Sequence, residues 1–240
     1  MRKDDEWNTR TKLLVGAAGI KKLQRAHVFV AGMGGVGSSA AEFLCRAGIG
    51  KLTIADHDHV QSSNRNRQIP ALKSTEGMFK AEVMEDRLKD INPELHLIAV
   101  KDYLNAESIP KLLETKYDFV VDAIDTLSPK FHLILNAVQK GLPVVSSMGS
   151  GGRFDPSFIK VADISESHSC RLAYYIRKKL HKFDIYKGVT VVFSDELPVK
   201  EALEKVEEKN KKTIAGTISY MPVIFGGYCA STVIREMLKY

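Results

Sequence analysis

Cysteine is scarce in this sequence, with three residues in 240. Cys45, Cys170 and Cys229 lie far apart, so the chain offers no C-x-x-C pair for a structural zinc and no even-numbered set for a disulfide framework. This cysteine usage is typical of a protein of the reducing cytoplasm, where we expect the chain to act.

Long apolar segments are also few. The charged start MRKDDEWNTR has no apolar h-region, so we expect no secretory signal. One run, residues 214–234, is about long enough to span a bilayer. It contains Pro222, Gly226 and Gly227, which favour a buried strand, turn and helix. We therefore expect no stable membrane association.

Acidic residues are outnumbered by basic ones, 29 to 35, which gives a net charge of +6. This excess suits a polyanionic partner such as RNA without requiring one. With 240 residues, 44% of them hydrophobic, the chain is long enough for one large domain with a sizeable core. We expect a single domain.

Short apolar strands alternate with helical segments through the first 150 residues. The patterns predict strands at 27–32, 51–56, 95–100, 118–125 and 143–149, with helices at 36–48, 74–92 and 128–141. This alternation indicates the α/β class, with a Rossmann-like, doubly wound and mostly parallel sheet.

The pattern becomes less regular after Gly149. The glycine-rich bend GSGGRFDP leads to a predicted strand near 158–164, a basic helix at 170–183 and a strand at 188–194. The Lys/Glu-rich segment 199–213 favours a solvated helix or a mobile loop. We expect an irregular C-terminal extension of the same domain.

A glycine-rich turn follows the first predicted strand. Gly32, Gly34 and Gly37 fit the spacing G-x-G-x-x-G, and Asp56 ends the second strand, where an acidic side chain can bond a ribose hydroxyl. The turn alone suits any adenosine nucleotide, so an NAD enzyme or a nucleotide-sensing module without catalysis stays possible at this point.

Cations downstream of this turn favour a triphosphate. A nucleotide about to lose pyrophosphate needs fixed positive charge on its leaving group, and Arg67 and Lys80 supply it. Asp122 and Asp125, at the end of the fourth strand, add carboxylates to the same edge of the sheet, where one can hold Mg²⁺ on the phosphates.

These motifs together resemble the adenylating enzymes related to ubiquitin-activating enzyme. The matching features are G-x-G-G-x-G, the acidic residue after the second strand, SNRNRQ at 63–68, the helix lysine and the D-x-x-D of Asp122 and Asp125. The resemblance implies ATP and Mg²⁺ as cofactors and transfer of AMP to a substrate carboxylate. It also implies a homodimer in which Arg10 reaches into the neighbour's site.

By this resemblance each site residue receives a role. Asp56 is expected to bind ribose, Asp125 the metal, and Asn64 the phosphates together with Arg67 and Lys80. The full expected nucleotide set is Gly32, Gly34, Gly35, Gly37, Asp56, Asn64, Arg67, Gln68, Lys80 and Asp122, and the expected catalytic set is Arg10, Arg67, Lys80 and Asp125.

Over nearly its whole length the sequence is similar to one branch of this family, which dehydrates threonylcarbamoyladenosine in tRNA. The stretches NRNRQIPAL, VVDAIDTLSPK and GSGGRFDP carry the similarity, whereas SHSCRLA and Thr126 depart from the family patterns. Cys170 is open to two readings, a thioester nucleophile or a small buried hydrophobe. In this branch ring closure within the substrate requires no protein nucleophile.

The branch implies a tRNA partner for the second part of the chain. The residues expected to contact RNA are Arg153, Arg171, Arg177, Lys178, Lys179 and Lys182, although the helix among them also fits an ordinary solvated face. Residues 1–150 would form the ATP-binding half and 151–240 the substrate and dimerisation half. The resemblance further suggests a cysteine desulfurase or sulfur acceptor as partner. The alternative function is adenylation of the C-terminal glycine of a ubiquitin-like or sulfur-carrier protein.

Overall fold

A computed structural model of the chain describes residues 7–208 and 211–240. Seven strands form the main sheet: β1 (His27–Ala31), β2 (Lys51–Ala55), β3 (His96–Val100), β4 (Phe119–Asp122), β5 (Val144–Ser147), β6 (Ile159–Asp163) and β7 (Thr190–Ser194). Their order is β3-β2-β1-β4-β5-β7-β6, and β6 alone is antiparallel to its neighbour in this sheet. The predicted α/β class and mostly parallel sheet are confirmed.

Seven α-helices accompany the strands in the described part of the chain. They are α1 (Thr9–Arg25), α2 (Gly35–Ala47), α3 (Lys80–Ile91), α4 (Ser108–Leu112), α5 (Leu127–Gln139), α6 (Arg171–Leu180) and α7 (Tyr220–Leu238). None of the helices in the described residues is long and apolar enough to cross a bilayer. The apolar run 214–234 becomes the end of a strand, a turn and α7, as its glycines and proline predict.

Two hydrophobic cores lie against the sheet. One joins Leu44 of α2 and Met84 of α3 to Phe225 and Val233 of α7. The other joins Phe131 of α5 and Ile176 of α6 to buried residues of β4, β5 and β7. Strands buried on both faces read as continuous apolar runs, which explains why the sequence reveals them clearly.

Helix α3 begins later than the sequence predicts. The pattern placed its start near residue 74, but residues 73–75 form a separate 3₁₀ turn, in which Thr75 Oγ1 accepts a hydrogen bond from Leu72 N at 2.9 Å. Gly77 follows with φ +87°, in the left-handed region that favours glycine. The helix therefore begins at Lys80, at the edge of the sheet.

The Lys/Glu-rich segment differs from its prediction. Instead of a solvated helix or a mobile loop, it contains an antiparallel pair, β8 (Leu203–Glu208) and β9 (Lys211–Ala215). Residues 209 and 210 of the predicted segment lie outside the described residues. The base of the pair is fixed by backbone hydrogen bonds from Gly216 N to Ala202 O and from Gly152 N to Gly216 O, both at 2.7 Å. These tertiary bonds override the local helix preference of Lys and Glu.

Candidate nucleotide site

The glycine turn between β1 and α2 leaves no room for side chains at its base. Gly32 has φ +90°, and its N–H donates to Ala55 O at 2.7 Å. A Cβ at Gly37 would overlap the carbonyl oxygen of Gly32. At Gly34 the space is open instead, and a Cβ would meet Gln68 Nε2 at 3.8 Å. The turn is therefore tightly packed at Gly32 and Gly37 and has free space next to Gly34.

The N-terminus of α2 faces the same space. Within the described residues no side chain caps this end at Gly34. A Cβ at Gly35 would press on Pro222 and on the carbonyl oxygen of Arg67, so the segment around Arg67 passes directly beside the helix start. Unpaired N–H groups and the helix dipole make such an end attractive to phosphate.

Asp56, one residue beyond β2, is tied to the glycine turn. Its Oδ2 accepts a hydrogen bond from Met33 N at 2.6 Å, and its Oδ1 accepts one from Asp58 N at 2.8 Å. Burial raises the pKa of Asp56, while the positive charge of Lys80 opposes the rise. The carboxylate thus lies beside the turn, where a ribose hydroxyl can reach it.

The two predicted cations both lie near this turn, since Lys80 acts on Asp56 and the backbone of Arg67 passes beside Gly35. Lys80 is 6% exposed, and its Nζ lies 2.9 Å from Asp58 Oδ2. Arg67 is partly buried, and its Nη1 donates to Ser63 O at 2.9 Å. Burial lowers the pKa of Arg67, and the negative charge of Asp125 opposes that effect, so these two side chains interact electrostatically.

Two amide side chains complete the loop after β2. Asn64 is buried, and its Oδ1 accepts a hydrogen bond from Gln61 N at 3.1 Å, which shapes the 3₁₀ turn Ser62–Asn64. Gln68 Oε1 is buried and has no hydrogen-bond partner within the described residues. A buried amide oxygen left without a partner costs about 1–3 kcal/mol, which a polar ligand over Gly34 would relieve. Gln68 therefore fits a nucleotide in this space.

The two aspartates at the end of β4 occupy different environments. Asp122 is fully buried, and its Oδ2 accepts hydrogen bonds from Lys130 Nζ at 2.8 Å and Ser146 Oγ at 2.6 Å. The prediction that Asp122 contacts the nucleotide is wrong, because these bonds hold it in the core. Asp125 is exposed in the loop before α5. A carboxylate there suits Mg²⁺, which prefers oxygen ligands.

Sequence reasoning missed two residues after β2. One ligand atom each from Asp56, His57 and Asp58 lies within 4.8 Å of the others, so the three form a polar cluster beside the turn. Asp58 also positions Lys80 through the 2.9 Å ion pair. The only signal in the sequence was the alternating DHDH at 56–59, which has no single chemical meaning.

Arg153 lies near the carboxyl end of β5 but is not free to contact RNA. It is 4% exposed, and its guanidinium donates to Gly149 O at 2.7 Å, Ser169 O at 2.8 Å, Glu196 O at 3.1 Å and Gly151 O at 3.2 Å. The prediction of an RNA contact at Arg153 is therefore wrong. The residue instead joins the glycine-rich bend to the segment before α6.

The other residues predicted to contact RNA divide into two groups. Arg171, Lys178 and Lys182 are exposed. Arg177 is partly buried and donates to Ser167 O at 2.6 Å, and Lys179 Nζ lies 4.9 Å from the centre of the Phe131 ring. The first group is accessible to a partner, whereas the second group stabilises the packing of α6.

Arg10 is not brought to the site of its own chain. It is exposed on α1, and the neighbouring Asn8 has its Nδ2 3.9 Å from a Cβ built on Gly48, at the C-terminal end of α2. The glycine turn is at the opposite end of α2, about 18 Å away at the rise of an α-helix.

The three cysteines occupy two kinds of environment. Burial raises the pKa of Cys45 and of Cys229 to about 12, so both thiols are protonated and act as small hydrophobes. Cys170 is partly buried immediately before α6, and its Sγ lies 3.7 Å from a Cβ built on Gly149. It thus lies near the carboxyl end of β5.

Known proteins are similar to this chain over nearly its whole length. The chain is 37% identical over 239 residues to the tRNA threonylcarbamoyladenosine dehydratase of Bacillus subtilis, with 96% of this chain and 94% of the relative covered. It is 39% identical to the dehydratase of Escherichia coli, with 98% and 95% covered.

A solved structure of the E. coli dehydratase in complex with ATP superposes with a TM-score of 0.90 at 34% identity, covering 98% of this chain and 94% of that one. The AMP complex of the same protein gives a TM-score of 0.87, covering 96% and 93%. The ThiF family model matches residues 8–240. The chain therefore belongs to the ThiF family.

Proposed function

We propose that this chain is an ATP-dependent dehydratase that cyclises threonylcarbamoyladenosine beside the anticodon of tRNA. The observation that carries the proposal is similarity over almost the entire length to dehydratases of two bacteria. The site supports it, because the glycine turn, Asp56, Arg67 and Lys80 converge at one edge of the sheet.

The residues divide the work of binding ATP. The N–H groups at the start of α2 and the open space over Gly34 receive phosphate, and Asp56 receives ribose. Lys80 and Arg67 supply positive charge for the departing pyrophosphate. Gln68 and Asn64 line the same loop. Asp125 would hold Mg²⁺, which neutralises phosphate charge when bound.

The chemistry needs two steps. A carboxylate oxygen of the substrate attacks the α-phosphorus of ATP, an O–P bond forms, and pyrophosphate leaves. The carbamoyl group of the same side chain then attacks the activated carbonyl carbon, AMP leaves, and a five-membered ring remains with net loss of water. Because the nucleophile belongs to the substrate, proximity drives ring closure. A nucleophilic role for Cys170 is not needed.

The position of Arg10 supports a homodimer in which it acts in trans. Asn8, two residues before Arg10, lies at the C-terminal end of α2, and the glycine turn lies at the other end of that helix, about 18 Å away along its axis. On the same helix Leu13 and Leu14 are 78% and 81% exposed, and α7 presents an apolar groove with Ile224 and Tyr228. Apolar surface of this kind is typical of interfaces.

The division of labour within the chain follows from this arrangement. Residues 1–150 supply the ATP-binding half, and residues 151–240 supply the substrate side and part of the dimer interface. Residues of both halves contribute to the first of the two cores, where α7 packs against α2. A tRNA substrate places the reaction in the cytoplasm. Dehydration consumes no sulfur, so a cysteine desulfurase or sulfur acceptor remains a prediction from resemblance alone.

The test is to incubate the purified protein with ATP, Mg²⁺ and tRNA carrying threonylcarbamoyladenosine, and then to weigh the nucleosides after mild digestion. We expect loss of one water from that nucleoside, dependent on ATP and accompanied by AMP. An unchanged nucleoside with ATP–pyrophosphate exchange that depends on a small protein ending in Gly-Gly would overturn the proposal in favour of carrier-protein adenylation.

A further inference from the structure

The outward face of α6 combines basic and aromatic side chains. Arg171, Tyr174, Tyr175, Lys178 and Lys182 follow the spacing i, i+3, i+4, i+7 and i+11, and all five are exposed. The opposite face carries the buried residues Ala173, Ile176 and Leu180. Because three and four residues make about one helical turn, the first four of these side chains lie on one face of α6. Lys182 follows in the 3₁₀ turn His181–Phe183, and the five together are called here the α6 strip.

The two tyrosines of the α6 strip are exposed and lie next to each other. Tyr174 is 53% exposed and Tyr175 is 42% exposed, and their ring centroids lie 5.3 Å apart in an edge-to-face arrangement. Two adjacent exposed rings offer an amphipathic surface that a partner can cover.

The strip begins at the substrate side of the candidate site. Cys170, just before α6, lies beside Gly149 at the end of β5, and Arg153 bonds Ser169 O. Tyr174 and Tyr175 are therefore within about two helical turns of the sheet edge, Lys178 lies farther along α6, and Lys182 lies in the 3₁₀ turn that follows it.

Charge selects a polyanion as the occupant of this strip. Between residues 171 and 187 the acidic side chains are limited to Asp184, while the basic ones are Arg171, Arg177, Lys178, Lys179, Lys182 and Lys187. Binding of a duplex through its phosphates would use the basic side chains and leave the tyrosines without a role. Rings close to the site are useful when bases are unpaired, because every base has a face on which an aromatic ring can stack.

We propose that Tyr174 and Tyr175 stack on unpaired nucleotides that flank the modified adenosine, while Lys178 and Lys182 neutralise phosphates of the adjoining stem. This inference rests on the proposed tRNA substrate. An enzyme that draws one nucleotide out of a loop must offset the lost stacking of its neighbours, and two exposed rings beside the site provide that surface. The occupant is single-stranded RNA held at the end of a stem.

The test compares two RNAs. One is an unmodified stem–loop with an anticodon loop, labelled with 2-aminopurine beside the target adenosine, and the other is a blunt duplex with the same stem. We expect Tyr174→Leu/Tyr175→Leu to weaken binding of the stem–loop about tenfold. Binding of the duplex should change less than about twofold, since the phosphate contacts are retained. The change in 2-aminopurine fluorescence on binding should be lost as well.

Two controls isolate the role of the rings. Tyr174→Phe/Tyr175→Phe keeps the rings and should bind both RNAs like the wild type. Tyr240→Leu removes an exposed tyrosine outside the α6 strip, 76% exposed, and should also bind both RNAs like the wild type. Equal loss on both RNAs, or no loss on either, would overturn the stacking role and leave the strip to phosphates or to a protein partner. The readout uses no ATP and no threonylcarbamoyladenosine, so it is independent of whether dehydration occurs.

Discussion

At the scale of single residues, Lys80 allows a direct test of the phosphate assignment. Its aliphatic stem is buried and its Nζ pairs with Asp58, whose side chain is 53% exposed. Lys80→Met should therefore keep the fold while removing a fixed cation from the leaving pyrophosphate. We expect tRNA-dependent ATP–pyrophosphate exchange to fall about 100-fold or more.

Helix α3 supplies the matched control for this substitution. Lys89 is half exposed and, among the described residues, its ion pair is with Glu85 in the same helix, so Lys89→Met changes the charge of α3 equally without reaching the site. Exchange in Lys89→Met should match the wild type. Full exchange in Lys80→Met would contradict the assignment of Lys80 to the phosphates.

Lys130 contributes to the stability of the fold through a buried ion pair. It is fully buried, and its Nζ pairs with Asp122, which is also fully buried. Removing one partner of a buried pair leaves an uncompensated charge, so Lys130→Met should lower the free energy of unfolding by about 3–5 kcal/mol. Urea denaturation measures this loss.

The double variant Asp122→Asn/Lys130→Met should be more stable than Lys130→Met alone, since asparagine carries no charge and can still accept from Ile124 N. A double variant that loses the sum of both single effects would show that the pair is not coupled.

Individual residues also show what the sequence could and could not predict. Gly32, Gly37 and Asp56 were recognisable because their backbone and spacing requirements are local. The burial of Arg153 and Asp122 was not, because a charged side chain near a sheet edge can turn outward or inward. Their partners, such as Ser169 and Glu196 for Arg153, come from distant parts of the chain.

At the scale of secondary-structure elements, an ion pair links α2 to α3. Glu42 Oε2 accepts a hydrogen bond from Arg87 Nε at 2.7 Å, and Oε1 accepts one from Arg46 Nε at 2.8 Å. Burial works against ionisation of Glu42, but the hydrogen bonds from Arg87 and Arg46 outweigh it and hold the pKa of Glu42 below its usual value.

This lowered pKa predicts a pH-dependent contribution to stability. A carboxyl group whose pKa is lower in the folded state stabilises the fold above its unfolded pKa and loses that effect as the pH falls through the folded pKa. Glu42→Gln should therefore be less stable than the wild type by about 1–3 kcal/mol at neutral pH. The difference should shrink as the pH falls below about 4.5.

Thermal or urea unfolding measured between about pH 3 and pH 7 follows the effect. Glu85→Gln, which alters the surface pair with Lys89 in α3, should show a much smaller difference. A pH-independent gap between Glu42→Gln and the wild type would indicate lost packing rather than lost charge.

Elements differ in how well the sequence predicts them. The strands β1, β2, β4 and β5 are buried on both faces and appear as apolar runs. The pair β8 and β9 escaped prediction because its composition favours helix or loop, while its position is set by backbone bonds to Gly152, far away in the sequence. The late start of α3 depended on one glycine conformation.

At the scale of the whole molecule, mixed dimers can test whether Arg10 acts in trans. Arg10→Ala and Lys80→Met should each be inactive as homodimers. In a mixed dimer, the subunit carrying Arg10→Ala keeps Lys80 and receives Arg10 from its partner, so one of its two sites is intact. Random exchange of subunits should restore about a quarter of the wild-type rate.

Dehydration measured after refolding the two variants together gives the answer, with each variant refolded alone as control. No recovery in a mixture that forms dimers would contradict action in trans. A mixture that remains monomeric by light scattering would contradict the dimer itself.

The packing of α7 against α2 has a consequence for biosynthesis. A Cβ at Gly226 would lie 2.5 Å from Val36 O, so two segments from opposite ends of the chain meet backbone to backbone. The first core cannot close until α7 has left the ribosome, although β1 and α2 emerge early. Ribosome-bound chains that stop before residue 220 should expose Leu44 and its neighbours and recruit chaperones. The chaperones should dissociate from the nascent chain once α7 has been synthesised.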